Sequence, residues 1–238
     1  MLTDDHSPTP SVMFLVDMDN TLVDNDRFGA DLHDTLTQAF GADQCARYWA
    51  LYEELRQSSG VADYIGALQR FRTGLENDPA LLQMSRYLLD YPFADRFYPH
   101  ALETLAHLRS LGPTAILSDG DIVFQPRKIQ RSGAWDAVRG EVLVYIHKQH
   151  MLVGIQQRYP AAHYVMVDDK PNILTEMKRG MGDKLTTVFV QQGHYAADAI
   201  AEGLELEPDM RIACIGDLRK LTLADFLPDA PVINLRAE

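Results

Sequence analysis

Hydrophobic residues follow two different patterns along this chain. From residue 24 to residue 98 they recur every three or four positions, as in the series Leu32, Leu36 and Phe40, which is typical of amphipathic helices. Glycine-containing turns such as the one ending at Gly60 interrupt this periodicity. No run in the segment indicates a strand. The pattern therefore predicts an all-helical segment of about four helices.

On either side of that segment, short apolar runs alternate with helical periodicity. The runs predict strands over Val12–Val16, Thr114–Leu117, Glu141–Ile146, Tyr164–Val167, Thr186–Val190 and Arg211–Ile215. The helices predicted between them are Ala101–Leu111, one from Pro126 to Gly133, Gln149–Arg158 and Asn172–Lys178. Strands separated by helices imply a parallel sheet with crossover helices on both faces. We therefore expect an α/β fold with a Rossmann-like parallel-sheet core (residues 1–23 and 99–238) and an inserted all-helical domain (residues 24–98).

Polar side chains that could carry chemistry follow four of the predicted strands. They are Asp17 and Asp19, Ser118, Lys148, and the pair Asp168 and Asp169. In open α/β sheets, ligands bind beyond the carboxyl ends of the strands, and carboxylates that converge there repel one another unless a cation or a proton lies between them. Each residue alone could also be a turn residue or a solvated helix start. Their shared position at strand ends favours a single site.

The sequence Asp17-Met18-Asp19-Asn20-Thr21 after an apolar strand resembles the first motif of the haloacid dehalogenase (HAD) superfamily, Asp-x-Asp-x-Thr. Three further residues or pairs resemble its second, third and fourth motifs in the same order: Ser118, Lys148 and Asp168-Asp169. The resemblance covers roughly residues 12–23 and 99–227. The helical segment matches the superfamily's helical cap in position and character, but it contains no cap motif tied to one substrate.

The resemblance implies a Mg²⁺-dependent phosphatase. Asp17 would be the nucleophile that forms an aspartyl-phosphate, Asp19 the general acid and base, and Ser118 and Lys148 would stabilise the transferred phosphoryl group. Mg²⁺ would be held by Asp17, by the backbone carbonyl of Asp19 and by the Asp168-Asp169 pair. We expect Asp169 to be the direct ligand of that pair.

Asp168 would then act through a water or orient its neighbours. A later acidic element of some members is missing, with Asn172 the nearest polar residue, so the division of roles within the pair stays open. Members that cleave carbon–halogen bonds lack the second acid and need no metal, because halide leaves unprotonated. The presence of Asp19 therefore favours hydrolysis of a small phosphorylated metabolite.

Two other classes of function stay open beside the phosphatase. The first is a 2-haloacid dehalogenase-type hydrolase. The second is a non-catalytic phospho-accepting or binding protein, because receiver domains also combine acidic residues with Ser/Thr and Lys, although they are about half this length. Fold-level analogy does not choose among substrates.

Several other polar residues are expected to have structural roles. Arg127 and Lys128 fall within a helix and are predicted to lie on its solvated face, and Gly216-Asp217 is predicted to be a structural turn. The predicted cap also contains basic and aromatic residues for which a solvated or packing role is expected: Arg56, Tyr64 and Arg72. Arg27, near the first crossing into the cap, is better placed to contact substrate.

Composition narrows the class of partner. The net charge of -12 argues against nucleic acid, which needs a basic face. Cys45 and Cys214 lie in unrelated segments and are expected to be buried thiols of a reducing compartment. No apolar run approaches membrane-spanning length, and the acidic start is not typical of a signal peptide. We expect a cytoplasmic monomer or homodimer with a loose polar arm up to Ser11.

Overall fold

The computed structural model describes residues 11–228, 230 and 233–235 of the chain. The predicted N-terminal arm therefore lies outside the described residues, except for Ser11. Within the part of the chain that the structure describes, no helix is both long and apolar enough to cross a membrane.

A seven-stranded sheet, parallel throughout, forms the centre of the fold, with the strand order β3-β2-β1-β4-β5-β6-β7. The strands are β1 (Val12–Val16), β2 (Thr114–Asp119), β3 (Val142–Tyr145), β4 (His163–Asp168), β5 (Leu185–Val190), β6 (Met210–Ile212) and β7 (Ile233–Leu235). The chain builds outward from β1 through β2 to β3 and then returns to place β4 on the other side of β1. This reversal makes the carboxyl end of β1 a topological switch point, where sheets of this kind bind ligands.

Ten α-helices accompany the sheet in the described residues. They are α1 (Asn25–Phe40), α2 (Ala42–Ser59), α3 (Tyr64–Phe71), α4 (Ala80–Asp90), α5 (Ala101–Leu111), α6 (Phe124–Ser132), α7 (Ala134–Ala137), α8 (Leu152–Arg158), α9 (Pro171–Met181) and α10 (Gly193–Glu202). Helices α5 and α6 pack on one face of the sheet with Phe14, and α8, α9 and α10 pack on the other with Leu15. Both faces are therefore covered, which explains why the central strands are continuous apolar runs.

Helices α1 to α4 lie between β1 and α5, in the segment predicted to be all-helical. The chain leaves the sheet after Val23 and returns through a 3-10 turn at Phe93–Arg96. Five aromatic rings pack together where the helical segment meets α6; they belong to Phe28, Tyr64, Tyr91, Phe93 and Phe124. The exact domain limits at residues 23/24 and 98/99 stay a prediction.

The end of the chain differs most from the sequence prediction. The strand predicted over Arg211–Ile215 is shorter, because the chain turns into a 3-10 helix, Ile215–Lys220, whose Asp217 carboxylate accepts a hydrogen bond from the Cys214 backbone N–H at 3.1 Å. Asp217 thus caps a turn, as expected. Helix α10 and the short edge strand β7 were not predicted. Cys45 is buried, but Cys214 is exposed, so the expectation of two buried thiols was wrong for Cys214.

Candidate active site

Lys148 lies at the centre of a group of buried carboxylates. It begins a 3-10 turn, Lys148–His150, soon after β3, and its side chain is only 1% exposed. Its ammonium lies 2.5 Å from Asp17 Oδ1 and 2.7 Å from Asp168 Oδ2, and it donates to the Leu117 carbonyl at 3.2 Å. Three neighbouring strands, β1, β2 and β4, therefore supply its partners. The structure brings together the predicted residues Asp17, Lys148 and Asp168.

Asp169 completes the group but has no donor of its own. Its side chain is buried, and neither carboxylate oxygen has a hydrogen-bond partner among the described residues. Carboxylate oxygens of Asp17, Asp168 and Asp169 all lie within 4.8 Å of one another. Among the described residues, Lys148 is the only ammonium within ion-pair distance of any of them. One ammonium therefore does not balance the three carboxylates. Their hard oxygen donors fit a divalent cation such as Mg²⁺.

The pKa values of the group reflect its burial and the repulsion between its carboxylates. Burial raises the pKa of Asp17 to about 7, since it outweighs the lowering effect of Lys148, and the neighbouring Asp168 carboxylate raises the pKa further. Burial, followed by the Asp168 and Asp17 charges, raises the pKa of Asp169 well above its usual value. Burial alone would lower the pKa of Lys148, but the carboxylates around it outweigh this effect and raise that pKa, so the side chain stays cationic.

The two carboxylates at the end of β4 have different surroundings. Asp168 Oδ2 faces Lys148, and its Oδ1 accepts the Lys170 backbone N–H at 2.9 Å. Asp168 thus holds Lys148 and the following turn in place, whereas Asp169 has no such partner. This difference supports the prediction that Asp169 is the direct metal ligand and that Asp168 orients its neighbours.

Ser118 lies near the end of β2 and is buried. Its hydroxyl oxygen accepts a hydrogen bond from Gln125 Nε2 at 2.9 Å. The next residue, Asp119, accepts the Lys148 backbone N–H at 2.7 Å through Oδ1. This bond ties the end of β2 to the turn that carries Lys148.

Asp19 is not part of the acidic group, although it lies only two residues after Asp17. Its Oδ1 lies 2.7 Å from Lys128 Nζ, and its Oδ2 accepts from Gln125 Nε2 at 3.2 Å. The side chain is 25% exposed, whereas that of Asp17 is 7% exposed. The Asp19 side chain is therefore held away from the acidic group, and metal binding by the Asp19 backbone carbonyl stays a prediction.

Lys128 was predicted to lie on a solvated helix face, and this was wrong. Its side chain is fully buried. Besides Asp19 it contacts Asn25 Oδ1 at 2.8 Å, and its ammonium lies 5.3 to 5.7 Å from the centres of three aromatic rings, those of Phe28, Phe93 and Phe124. Its neighbour on the helix, Arg127, is 44% exposed, as expected, and pairs with Asp90 of α4.

A signal for the burial of Lys128 is present in the sequence. On α6 the buried residues include Phe124, Lys128 and Ser132, spaced four apart on one face of the helix. Arg127 and Arg131 lie on the same helix and make it polar on average, which obscured this pattern.

A cavity of about 750 Å³ lies between the helical segment and the sheet core; we call it the chamber. Asp19 and Asp119 line it from the core. Opposite them is one face of α2, which carries Trp49, Tyr52, Glu53 and Arg56. The Trp49 indole N–H is buried without a hydrogen-bond partner in the described residues. The chamber is large enough for a metabolite-sized ligand.

Residues of the predicted cap occupy different positions relative to the chamber. Arg56 and Tyr64, expected to be solvated or to have a packing role, both line it. Arg56 donates to the Tyr195 hydroxyl at 3.0 Å, and Tyr64 stacks on Tyr52 with ring centres 4.8 Å apart. Arg72 and Arg27 do not line it: Arg72 is exposed, and Arg27 is 62% exposed and pairs with Asp31.

Lys170, which the sequence interpretation did not single out, also lines the chamber. Its ammonium lies 4.5 Å from the centre of the Tyr195 ring. Burial alone would lower its pKa, but the charges of Asp169, Asp17 and Asp168 outweigh that effect and raise the pKa. The chamber is therefore lined by a cation next to the acidic group. Its position immediately after the acidic pair is the signal that could have identified it.

These features define an α/β protein with a candidate active site at the switch point of the sheet. The family model for haloacid dehalogenase-like hydrolases matches residues 13–180. The chain belongs to that family. A haloacid dehalogenase-like hydrolase from Burkholderia xenovorans LB400 has 54% identity and a TM-score of 0.83, over 89% of this chain and 99% of that one.

More distant structures share the fold. The HAD-hydrolase YfnB from Bacillus subtilis, solved with bound magnesium, has 15% identity and a TM-score of 0.59, over 89% of this chain and 98% of that one. An L-2-haloacid dehalogenase has 16% identity and a TM-score of 0.58, over 90% of this chain and 99% of that one. The comparison with curated proteins found no significant match.

Proposed function

We propose that this hydrolase is a Mg²⁺-dependent phosphatase that acts on a small phosphomonoester through an aspartyl-phosphate on Asp17. The observation that carries this proposal is the carboxylate of Asp19, which lines the chamber two residues after the nucleophile. An alkoxide leaving group needs a proton, whereas a halide does not. A second acid at this position is useful for ester hydrolysis and has no use in carbon–halogen cleavage.

The reaction has two steps in this proposal. First, a carboxylate oxygen of Asp17 attacks phosphorus, the bond from phosphorus to the ester oxygen breaks, and Asp19 gives that oxygen a proton. Water then attacks phosphorus, gives a proton to Asp19, and the bond from phosphorus to Asp17 breaks. Inorganic phosphate leaves, and Asp19 is again protonated for the next turnover.

The other predicted residues support these steps. Lys148 orients Asp17 through their ion pair, and the Ser118 hydroxyl would donate to a phosphoryl oxygen. Asp17, Asp169 and the backbone carbonyl of Asp19 would hold Mg²⁺, which would neutralise charge on the phosphoryl oxygens. Asp168 keeps Lys148 in place.

The chamber supports a substrate of ordinary metabolite size. Its lining offers two cations, Lys170 and Arg56, and an aromatic wall formed by Trp49, Tyr52 and Tyr64. The proposed partner is therefore a small phosphorylated metabolite. Neither nucleic acid nor a membrane is part of the proposal, and the cytoplasmic location and the monomeric or homodimeric state stay predictions.

The test is phosphate release from p-nitrophenyl phosphate, with and without Mg²⁺, for wild type and Asp17→Asn. We expect metal-dependent release that Asp17→Asn abolishes. Asp217→Asn is the matched control, because this carboxylate also follows a strand but caps a turn and pairs with Lys220, outside the acidic group, and it should stay active. Halide release from 2-chloropropionate, or a phosphorylated protein that never turns over, would contradict the proposal.

A further inference from the structure

The buried ammonium of Lys128 is unusual because burying a cation is costly. Removing such a charge from water costs several kcal/mol unless partners compensate for the loss. Lys128 has one carboxylate partner, Asp19, one amide oxygen from Asn25, and the faces of three aromatic rings. Aromatic faces attract cations but do not fix their direction as a hydrogen bond does. The polar contacts of Lys128 are therefore directed at Asp19 and at the beginning of α1.

Helix α6 holds both oxygens of the Asp19 carboxylate. Gln125 and Lys128 lie three residues apart, so they project from the same side of the helix. Lys128 contacts Oδ1 at 2.7 Å, and Gln125 contacts Oδ2 at the longer distance of 3.2 Å. Because Lys128 is buried and Asp19 is a quarter exposed, Oδ1 is turned inward. Oδ2 is left as the oxygen that can exchange a proton with a ligand in the chamber.

Lys128 also contacts both crossings between the sheet core and the helical segment. Asn25 and Phe28 belong to α1, at the outward crossing, and Phe93 lies in the 3-10 turn on the return path. The lysine thus fixes Asp19 relative to three separate pieces of chain. No other basic side chain of the described residues forms an ion pair with Asp19.

We propose that Lys128 is a positioning residue that holds the Asp19 carboxylate in the orientation needed to protonate the leaving group. This inference rests on the proposed phosphatase function. Without Lys128, Oδ1 loses its partner, and the carboxylate rotates toward water in the chamber. The effect should therefore be largest for esters whose leaving group depends most on protonation.

The experiment compares p-nitrophenyl phosphate with phenyl phosphate, which are similar in size but differ in leaving-group basicity. The variant is Lys128→Met, whose thioether chain fits among the aromatic rings. We expect kcat/KM, which reports the step that releases the alcohol, to fall by about 10²-fold for phenyl phosphate, the lower range for general acid catalysis, and by about tenfold or less for p-nitrophenyl phosphate. Arg127→Met, the exposed neighbour on the same helix, is the matched control and should leave the ratio of the two rates unchanged.

Asn25→Ala is a second variant that keeps the lysine and removes its other polar contact. We expect the same selective loss on phenyl phosphate, but smaller. It keeps the inference testable if Lys128→Met does not fold, which circular dichroism will show. Equal losses on both esters, or no loss on either, would overturn the inference and leave the phosphatase proposal intact. A wild type that releases phosphate from neither ester would overturn the proposed function and this inference with it.

Discussion

Two pairs of aspartate and lysine lie side by side at the carboxyl end of β1, and they differ in charge balance. Asp17 and Lys148 belong to a buried group in which three carboxylates share one ammonium in contact. Asp19 and Lys128 form a balanced pair at the edge of the chamber, enclosed by aromatic rings on the lysine side. The first arrangement favours a metal cation, and the second favours a fixed carboxylate that exchanges protons. Neighbouring aspartates in one motif thus have different surroundings because different lysines reach them.

Asp17→Asn, which removes the carboxylate of the first pair, should have the largest effect on activity. The amide keeps the shape of the side chain but is no longer a nucleophile, so we expect kcat to fall on the order of 10⁴-fold to 10⁶-fold. Phosphate release measured in excess Mg²⁺ checks this. A folded variant with more than a few per cent of wild-type activity would show that Asp17 does not form the intermediate.

Replacing the two lysines in turn sharpens the comparison. Lys148→Met leaves buried carboxylates without an ammonium partner, so we expect the free energy of unfolding to fall by about 3–5 kcal/mol. Lys128→Met leaves one partly exposed carboxylate that water can solvate, so the loss should be no more than about 2 kcal/mol. Urea unfolding in EDTA measures both. Equal losses would contradict the difference in charge balance.

Asp169→Asn tests the excess of negative charge directly. With Mg²⁺ at about 100 times its dissociation constant, wild type should gain about 2.7 kcal/mol, which at this chain length raises Tm by about 5–10 °C. Asp169→Asn should lose most of that gain. In EDTA the variant should melt at or above the wild-type temperature, because the substitution removes a buried charge without a partner.

The control for the metal response is Asp217→Asn, which should gain as much from Mg²⁺ as wild type. Thermal melts with and without the metal give all these values. A variant of Asp169 that responds to Mg²⁺ like wild type would place the cation elsewhere.

Asp31 and Arg96 form a third ion pair, which has no part in the proposed chemistry, and Asp31→Asn removes it. Asp31 accepts hydrogen bonds from Tyr91 at 2.5 Å and from Arg96 at 2.8 Å, and thereby joins α1 to the return crossing. Burial raises its pKa, but those hydrogen bonds together outweigh that effect and hold the pKa below its usual 3.8. We expect the variant to lose roughly 1 kcal/mol of stability at pH 7.

The pH dependence of this loss follows from the lowered pKa. A carboxyl group with a lowered pKa in the folded state contributes stability above its unfolded pKa, and the contribution is lost as pH falls through the folded pKa. The difference between wild type and Asp31→Asn should therefore shrink below about pH 4. Urea midpoints between pH 3 and 7 measure it. A difference that grows toward low pH would contradict the sign.

The sequence predicted the elements whose signal is local. An apolar run followed by Asp17 and Asp19, or by Asp168 and Asp169, predicts both a buried strand and the sheet edge at which its polar residues meet. Lys148 followed from its position after a strand-like run. These predictions needed no knowledge of which helix packs on which face.

The residues that the sequence did not assign depend on packing between distant segments. Lys128 is buried only because the aromatic rings of the helical segment close over α6, and Arg56 lines the chamber only because α2 faces the sheet core. Strand β7 has three residues at the edge of the sheet, too few for a periodic signal. Tertiary contacts, and not local propensity, determine these features.

The wall of the chamber supplies an optical reporter of the bound state. The chain has two tryptophans. Trp49 lies in the chamber wall, and its indole N–H has no partner among the described residues, whereas Trp135 lies in α7 and does not line the chamber. Emission from a Trp135→Phe protein comes from Trp49 alone. Its wavelength and intensity would then report, without any label, when a ligand displaces water from the chamber.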